Sequence, residues 1–222
     1  MLFDFHTHTV LSDGHLSALE LIRRAAVAGY GCIALTDHVA GGGMARTIAE
    51  LKIDCALAET HWGIRALPGV ELTHVPPAAI SGLAEEARGL GAEIVVVHGE
   101  TPVEPVAPGT NRAAVSCPQV DVLAHPGLIT PEEAALAAAN GVFLELTARG
   151  GHNATNGLVV RRGRAAGARF LVNSDAHAPG DLLRPDWARM VALGAGLEEP
   201  EIQDCLRQSP QALLARARGP RG

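Results

Sequence analysis

Asp4-Phe5-His6-Thr7-His8, with Ser12-Asp13-Gly14 just behind it, opens the chain and decides how the remainder is read. In an extended strand successive side chains alternate faces, so Asp4, His6 and His8 are expected on one face and Phe5 and Thr7 on the other. Two imidazoles spaced in this way can converge on one divalent ion, whose bonds to ring nitrogen are about 2.0–2.1 Å long. An apolar N-terminal strand is an unusual place for merely solvated histidines. The spacing therefore raises a metal site, and the rest of the chain tests it.

Further apolar runs end in the same residue types. Cys32-Ile33-Ala34-Leu35-Thr36 leads to Asp37-His38, and Ala66-Leu67-Pro68-Gly69-Val70 leads to Glu71. Ile94-Val95-Val96-Val97 ends in His98, Val122-Leu123-Ala124 ends in His125, and Phe170-Leu171-Val172 leads to Asn173, Asp175 and His177 in an i, i+2, i+4 register. One run, Val142-Phe143-Leu144-Glu145-Leu146-Thr147, carries no ligand at its end. Helical segments separate the runs. Ser17 with Glu20 reads as a capping box, Thr130-Pro131-Glu132-Glu133 as an N-cap with an acidic first turn, and Pro76-Pro77 as a helix opening. Helices are expected near 45–60, 155–166, 181–193 and 200–217, and a short one after Thr110. About seven strand–helix alternations imply a parallel sheet, closed as a barrel or open and doubly wound. Such folds place their sites at the C-terminal strand ends. His, Asp and Glu are thus delivered to one face, as a multinuclear metal centre requires. Imidazole and carboxylate without thiolate suit Zn, Mn or Fe.

Composition is compatible with such a fold. Of 222 residues 47% are hydrophobic but only 3% aromatic, so a core must rest on Ala, Val, Leu and Ile. The net charge of −6 argues against broad binding to nucleic acid or anionic membranes. No apolar run approaches the ~18–20 residues that span a bilayer, and no signal-peptide pattern is present. Cys32, Cys55, Cys117 and Cys205 are scattered, which indicates neither disulfides nor a thiolate site and suits a cytoplasmic protein. One domain is expected over 1–218, with a disordered tail at 219–222.

Asp4-x-His6-x-His8, Ser12-Asp13-Gly14, Thr36-Asp37-His38, Gly69-Val70-Glu71, His98, Ala124-His125-Pro126 and Ser174-Asp175-Ala176-His177 together resemble the motifs of the PHP (polymerase and histidinol phosphatase) superfamily. The resemblance implies a distorted (β/α)7 barrel that holds about two to three divalent ions at the C-terminal strand ends. It implies His6, His8, Glu71 and Asp175 around one metal, Glu71, His98 and His125 around a second, and Asp13, His38 and His177 around a third. His15 is the alternative to Asp13. Asp37 and Asp4 are expected to orient ligand histidines, with Glu100 and Asn173 in similar supporting positions.

A hydroxide shared by two metals bridged by Glu71, and so dependent on His6, His8 and Asp175, would attack a small phosphorylated metabolite. Arg149 is the candidate for the phosphate, and His152 for substrate contact or leaving-group protonation. His74 and Arg112 are further substrate candidates. Trp62 and Trp187 read as packing residues, and His61 as a helix-end histidine. Two competing readings are a non-catalytic RNA-binding scaffold similar to the protein subunit of ribonuclease P, and hydrolysis of a non-phosphate bond. The full ligand set and the acidic charge favour the phosphoesterase.

Overall fold

The computed structural model describes residues 1–218; the tail expected at 219–222 lies outside the described residues. The first half of the chain forms β1 (Leu2–Asp4), α1 (Ala18–Val27), β2 (Tyr30–Leu35), a short β3 (His38–Val39), α2 (Met44–Trp62), β4 (Arg65–Leu72) and α3 (Ile80–Leu90). Then come β5 (Ile94–His98), α4 (Thr110–Val115), β6 (Val122–Ala124), α5 (Pro131–Asn140), β7 (Phe143–Thr147) and α6 (Asn156–Ala166). The chain continues with β8 (Phe170–Asn173), α7 (Pro185–Gly194), α8 (Glu199–Gln203) and α9 (Ser209–Arg218). Paired strands run parallel in the order β1-β2-β4-β5-β6-β7-β8, with β3 beside β4. A parallel bridge between Thr7 and Ala176, and the Phe5 N–H donating to Asn173 Oδ1 at 2.9 Å, bring β8 back to β1. The sheet is thus nearly closed into a TIM-like α/β barrel with helices around it.

Local chemistry explains most boundaries. Thr130 and Glu133 form the reciprocal capping box that starts α5. At α1 only half of the expected box is made: Ser17 accepts from the Glu20 N–H, while the Glu20 carboxylate turns to Arg24 at 2.7 Å. Pro185 sets the start of α7 later than expected, because the residue before a proline avoids helical backbone. The last expected helix is interrupted by a π-type turn at Asp204–Gln208.

Strand alternation divides the core in two. Ile33, Leu35, Val95, Val97 and Leu123 face the helices, while Cys32, Ala34, Leu67, Ile94, Val96, Val122 and Leu171 fill the barrel interior. β1 ends at Asp4, and there the expected alternation breaks. Phe5 joins the interior core, and Asp4 turns to accept the backbone N–H groups of His6 and Ser174.

Leu213 of α9 completes the interior core at the end opposite the strand C-termini. Beside it Asp121, fully buried just before β6, accepts from Arg88, from Arg216 at 2.6 Å and from the Val95 N–H at 2.9 Å. Arg216 also donates to the Gly141 carbonyl at 2.7 Å. Arg216→Ala should therefore lower stability by about 1–3 kcal/mol, the usual worth of hydrogen bonds to a charged group. Urea unfolding measures this. A change under about 0.5 kcal/mol would place Arg216 among ordinary surface residues.

Candidate metal centre

The strand ends converge on two carboxylates, Glu71 from β4 and Asp175 just past β8, both buried. His6 Nε2 lies 3.3 Å from Glu71 Oε1 and 3.7 Å from Asp175 Oδ1. His8 Nε2 is 3.2 Å from Asp175 Oδ1, and His125 Nε2 is 3.7 Å from both Glu71 Oε1 and Asp175 Oδ2. On the outer side Asp13 Oδ1 sits 3.5 Å from His38 Nε2 and 3.2 Å from His177 Nε2. Asp13, not the exposed His15, is the residue brought to His38 and His177.

Among the described residues these groups form overlapping clusters that could hold metal. They are His6 with His8 and Asp175, His6 with Glu71 and His125, and His8 with Asp13, His38 and His177. His152 joins His125 and Asp175 in a further cluster. His98 has its ring 4.5 Å from that of His125, but its Nε2 faces Glu104 Oε2 at 3.2 Å, and it clusters with His74 and Glu104.

The donor set fits divalent ions. Bonds of about 2.0–2.2 Å to a common ion put neighbouring ligand atoms a little over 3 Å apart, close to the separations of 3.2–3.7 Å around Asp175 and Glu71. His6 Nε2, His8 Nε2, Glu71 Oε1 and Asp175 Oδ1 are buried without a hydrogen-bond partner, which is costly unless a cation is their partner. The electrostatics of His8 and His125 agree. Burial pulls His8 and His125 well below the ordinary histidine range, and neighbouring histidines add to it, so both rings are held neutral as ligation requires. Burial also pushes Asp175 well above the usual carboxylate range, with Glu71 and Glu145 reinforcing it. Glu71 goes the other way: His6 and His38 outweigh its burial and hold it well below that range.

A buried supporting layer fixes these side chains. Glu145, in the middle of β7, takes His6 Nδ1 at 2.8 Å and Asn173 Nδ2 at 2.9 Å on Oε1, and the His125 N–H at 3.0 Å on Oε2. Its role is not assigned by the strand-end pattern, since it lies inside β7 and not at its end. The signal was present: a charged residue inside an unbroken apolar strand must have a partner. Asn173 acts by holding Glu145. Asp37 touches no imidazole and instead accepts from the Thr9 N–H and hydroxyl and from Ser12 Oγ at 2.7–2.9 Å, anchoring the turn that carries Asp13. Glu100 likewise touches no ligand ring and accepts the Gly109 and Asn111 N–H groups at 2.9 and 3.0 Å.

The backbone contributes too. His125 and Asp175 adopt left-handed backbone at φ 26 and 53, a costly conformation of the kind held at functional sites. At Gly14 an added Cβ would lie 2.4 Å from the His8 carbonyl oxygen. Gly14→Ala must therefore push the Asp13 turn away from His8. Metal affinity should fall about 10-fold or more, as for other losses of ligand positioning, read by competitive titration with a chelating dye. Unchanged affinity would show that the turn adapts freely.

The substrate candidates divide. Arg149 enters the site: Nη1 donates to the Asp175 carbonyl at 3.1 Å, and Nε lies 3.6 Å from Asp175 Oδ2. His152 is buried with Nε2 3.5 Å from Glu104 Oε1, and half-exposed His74 lies 3.1 Å from Glu104 Oε2. Glu104 thus sits among three histidines, a position that its Pro-rich loop did not reveal from sequence. Arg112 is exposed on α4 and lines neither the pocket at Arg149 nor the one at His74.

No family model matches the chain. It is 48% identical over 217 residues to an uncharacterised protein of Methanocaldococcus jannaschii, covering 97% of this chain and 100% of that one. It is 27% identical over 231 residues to ribonuclease P protein component 3 of Methanosarcina mazei, covering 97% and 90%. Over 220 residues it is 29% identical to a protein of Thermoanaerobacter sp. strain X514 named as a probable phosphatase, covering 90% and 88%. Among solved structures, one from the metal-dependent tyrosine phosphatases YwqE of Bacillus subtilis and CpsB of Streptococcus pneumoniae shares the fold. Its TM-score is 0.62 at 16% identity, with 97% of this chain and 95% of that one covered.

Proposed function

Because the chain belongs to the PHP superfamily, we propose that it is a metal-dependent phosphoesterase that hydrolyses a small phosphomonoester, residues 1–218 acting as one barrel domain. The observation that carries this reading is the set of overlapping imidazole–carboxylate clusters around Glu71 and Asp175, with buried donor atoms that lack hydrogen-bond partners. His6, His8, Glu71 and Asp175 would hold one ion, Glu71 and His125 with His98 a second, and Asp13, His38 and His177 a third. Two to three bound ions of Zn, Mn or Fe would supply Lewis acidity toward phosphoryl oxygens and lower the pKa of water to about neutrality.

The chain's own groups complete the reaction. Arg149 would take phosphoryl oxygens in its planar fork of donors. Glu145 keeps the His6 ring turned so that Nε2, not Nδ1, faces Glu71 and Asp175. His152, beside His125 and Asp175, would meet the leaving oxygen. No helix among the described residues is long and apolar enough to cross a membrane. The scattered, buried Cys32, Cys55, Cys117 and Cys205 support a reducing compartment, the cytoplasm.

Elemental analysis followed by a phosphate-release panel tests this. About two to three equivalents of metal per chain and activity abolished by chelation are expected. A chain that takes up no metal on reconstitution would sink the proposal. The resemblance to ribonuclease P protein component 3 supports a second reading, RNA binding. The charge of −6 opposes it, so RNA titration at physiological salt should show no saturable binding.

A further inference from the structure

Trp187, read from the sequence as a packing residue, is 42% exposed in the first turn of α7. It lines a cavity of about 650 Å³ together with Arg149, His152, Asp175, Gly180 and Arg184. Through Asp175 and His152 this lining belongs to the candidate metal centre, and it also offers an indole ring and a guanidinium. The volume is that of a pocket for a whole small ligand, far more than a phosphoryl group fills.

The lining leaves room. A Cβ added at Gly150 or at Gly180 would meet nothing within 4 Å. Oδ2 of Asp181, also in the lining, accepts the N–H groups of His177 and Ala178 at 3.0 and 2.8 Å. Arg184 is 72% exposed, and its contact with Asp186 is a surface pair at 3.4 Å, which is easily exchanged for another anion.

Resting on the phosphomonoesterase reading, we infer that the leaving group of the substrate is a planar ring bearing its own anionic substituent. The ring stacks on Trp187 and the anion meets Arg184, while the phosphoryl group lies at Arg149 and Asp175. Aromatic stacking suits a planar face of any ring chemistry. A guanidinium beside it adds a planar donor fork for a carboxylate or a further phosphate. Trp187 and Arg184 are thereby specificity-determining residues and take no part in the bond cleavage.

The test is binding, by calorimetry on manganese-supplied protein, of phenylphosphonate, butylphosphonate and 4-phosphonobenzoate, none of which can be hydrolysed. Phenylphosphonate should bind about 10-fold more tightly than butylphosphonate, and the added carboxylate should gain about 3-fold more. Trp187→Ala should erase the phenyl preference, Trp187→Phe should keep most of it, and Arg184→Ala should erase the carboxylate gain alone. Circular dichroism verifies that each variant is folded. Equal binding of phenyl and butyl compounds, or a preference that survives Trp187→Ala, overturns the inference while the phosphoesterase reading stands. Failure of all three phosphonates to bind overturns both.

Discussion

Glu71→Gln should cut metal-dependent phosphomonoester hydrolysis by about 10³-fold or more, because a shared ligand underlies several kcal/mol of charge stabilisation in the transition state. One carboxylate serves four imidazoles: Oε1 lies 3.3 Å from His6 Nε2 and 3.7 Å from His125 Nε2, and Oε2 lies 3.8 Å from His8 Nε2 and 2.6 Å from His38 Nδ1. The glutamine amide has nearly the same shape but no charge, and it turns an N–H₂ group toward one pair of rings. Metal content and kcat/KM should fall together, with the fold retained by circular dichroism. A variant that keeps its full metal complement and stays within about 10-fold of the parent rate would show that Glu71 is not the shared ligand.

Much of this arrangement was legible because the barrel turns sequence order into position. A strand buried on both faces reads as an apolar run, and its last residues must emerge at the ligand-binding end. Residues such as His98 and His125 could therefore be assigned to one face without any contact being known. Residues whose role depends on side-chain direction were not legible. Whether Asp4 faces the cluster of strand-end histidines or the backbone of Ser174 depends on β1 ending one residue before Phe5, which nothing in an apolar N-terminus dictates. Glu104 reaches His74, His98 and His152 only through the path of an irregular Pro-rich loop, and loop paths leave no periodic signature. Trp187 is a related case: the sequence marks a large side chain suited to packing, and only the fold shows that 42% of it stays exposed, in the lining of the cavity beside Arg149.

Glu145 shows what an intermediate case looks like, and its replacement is the sharper test of the supporting layer. Glu145→Ala leaves the Asn173 amide, the His125 N–H and His6 Nδ1 without their acceptor in a fully buried place. Each orphaned group costs about 1–3 kcal/mol, so a loss of several kcal/mol in stability is expected. Glu145→Gln fills the same space and still offers one acceptor oxygen, so it should fold with a smaller loss. It cannot accept from all three donors, because its amide nitrogen now faces one of them. The His6 ring then loses the carboxylate that selects its tautomer and sharpens its basicity, and metal affinity should fall about 10–100-fold. Competition titration of the glutamine variant separates the two roles. Weakened metal binding in a folded protein identifies a residue that positions His6. Unchanged metal affinity with reduced stability would make Glu145 a fold-stabilising acid and nothing more. The first outcome is expected, because β7 offers no other charge to His6, and Glu145 lies on the one strand that ends without a ligand of its own.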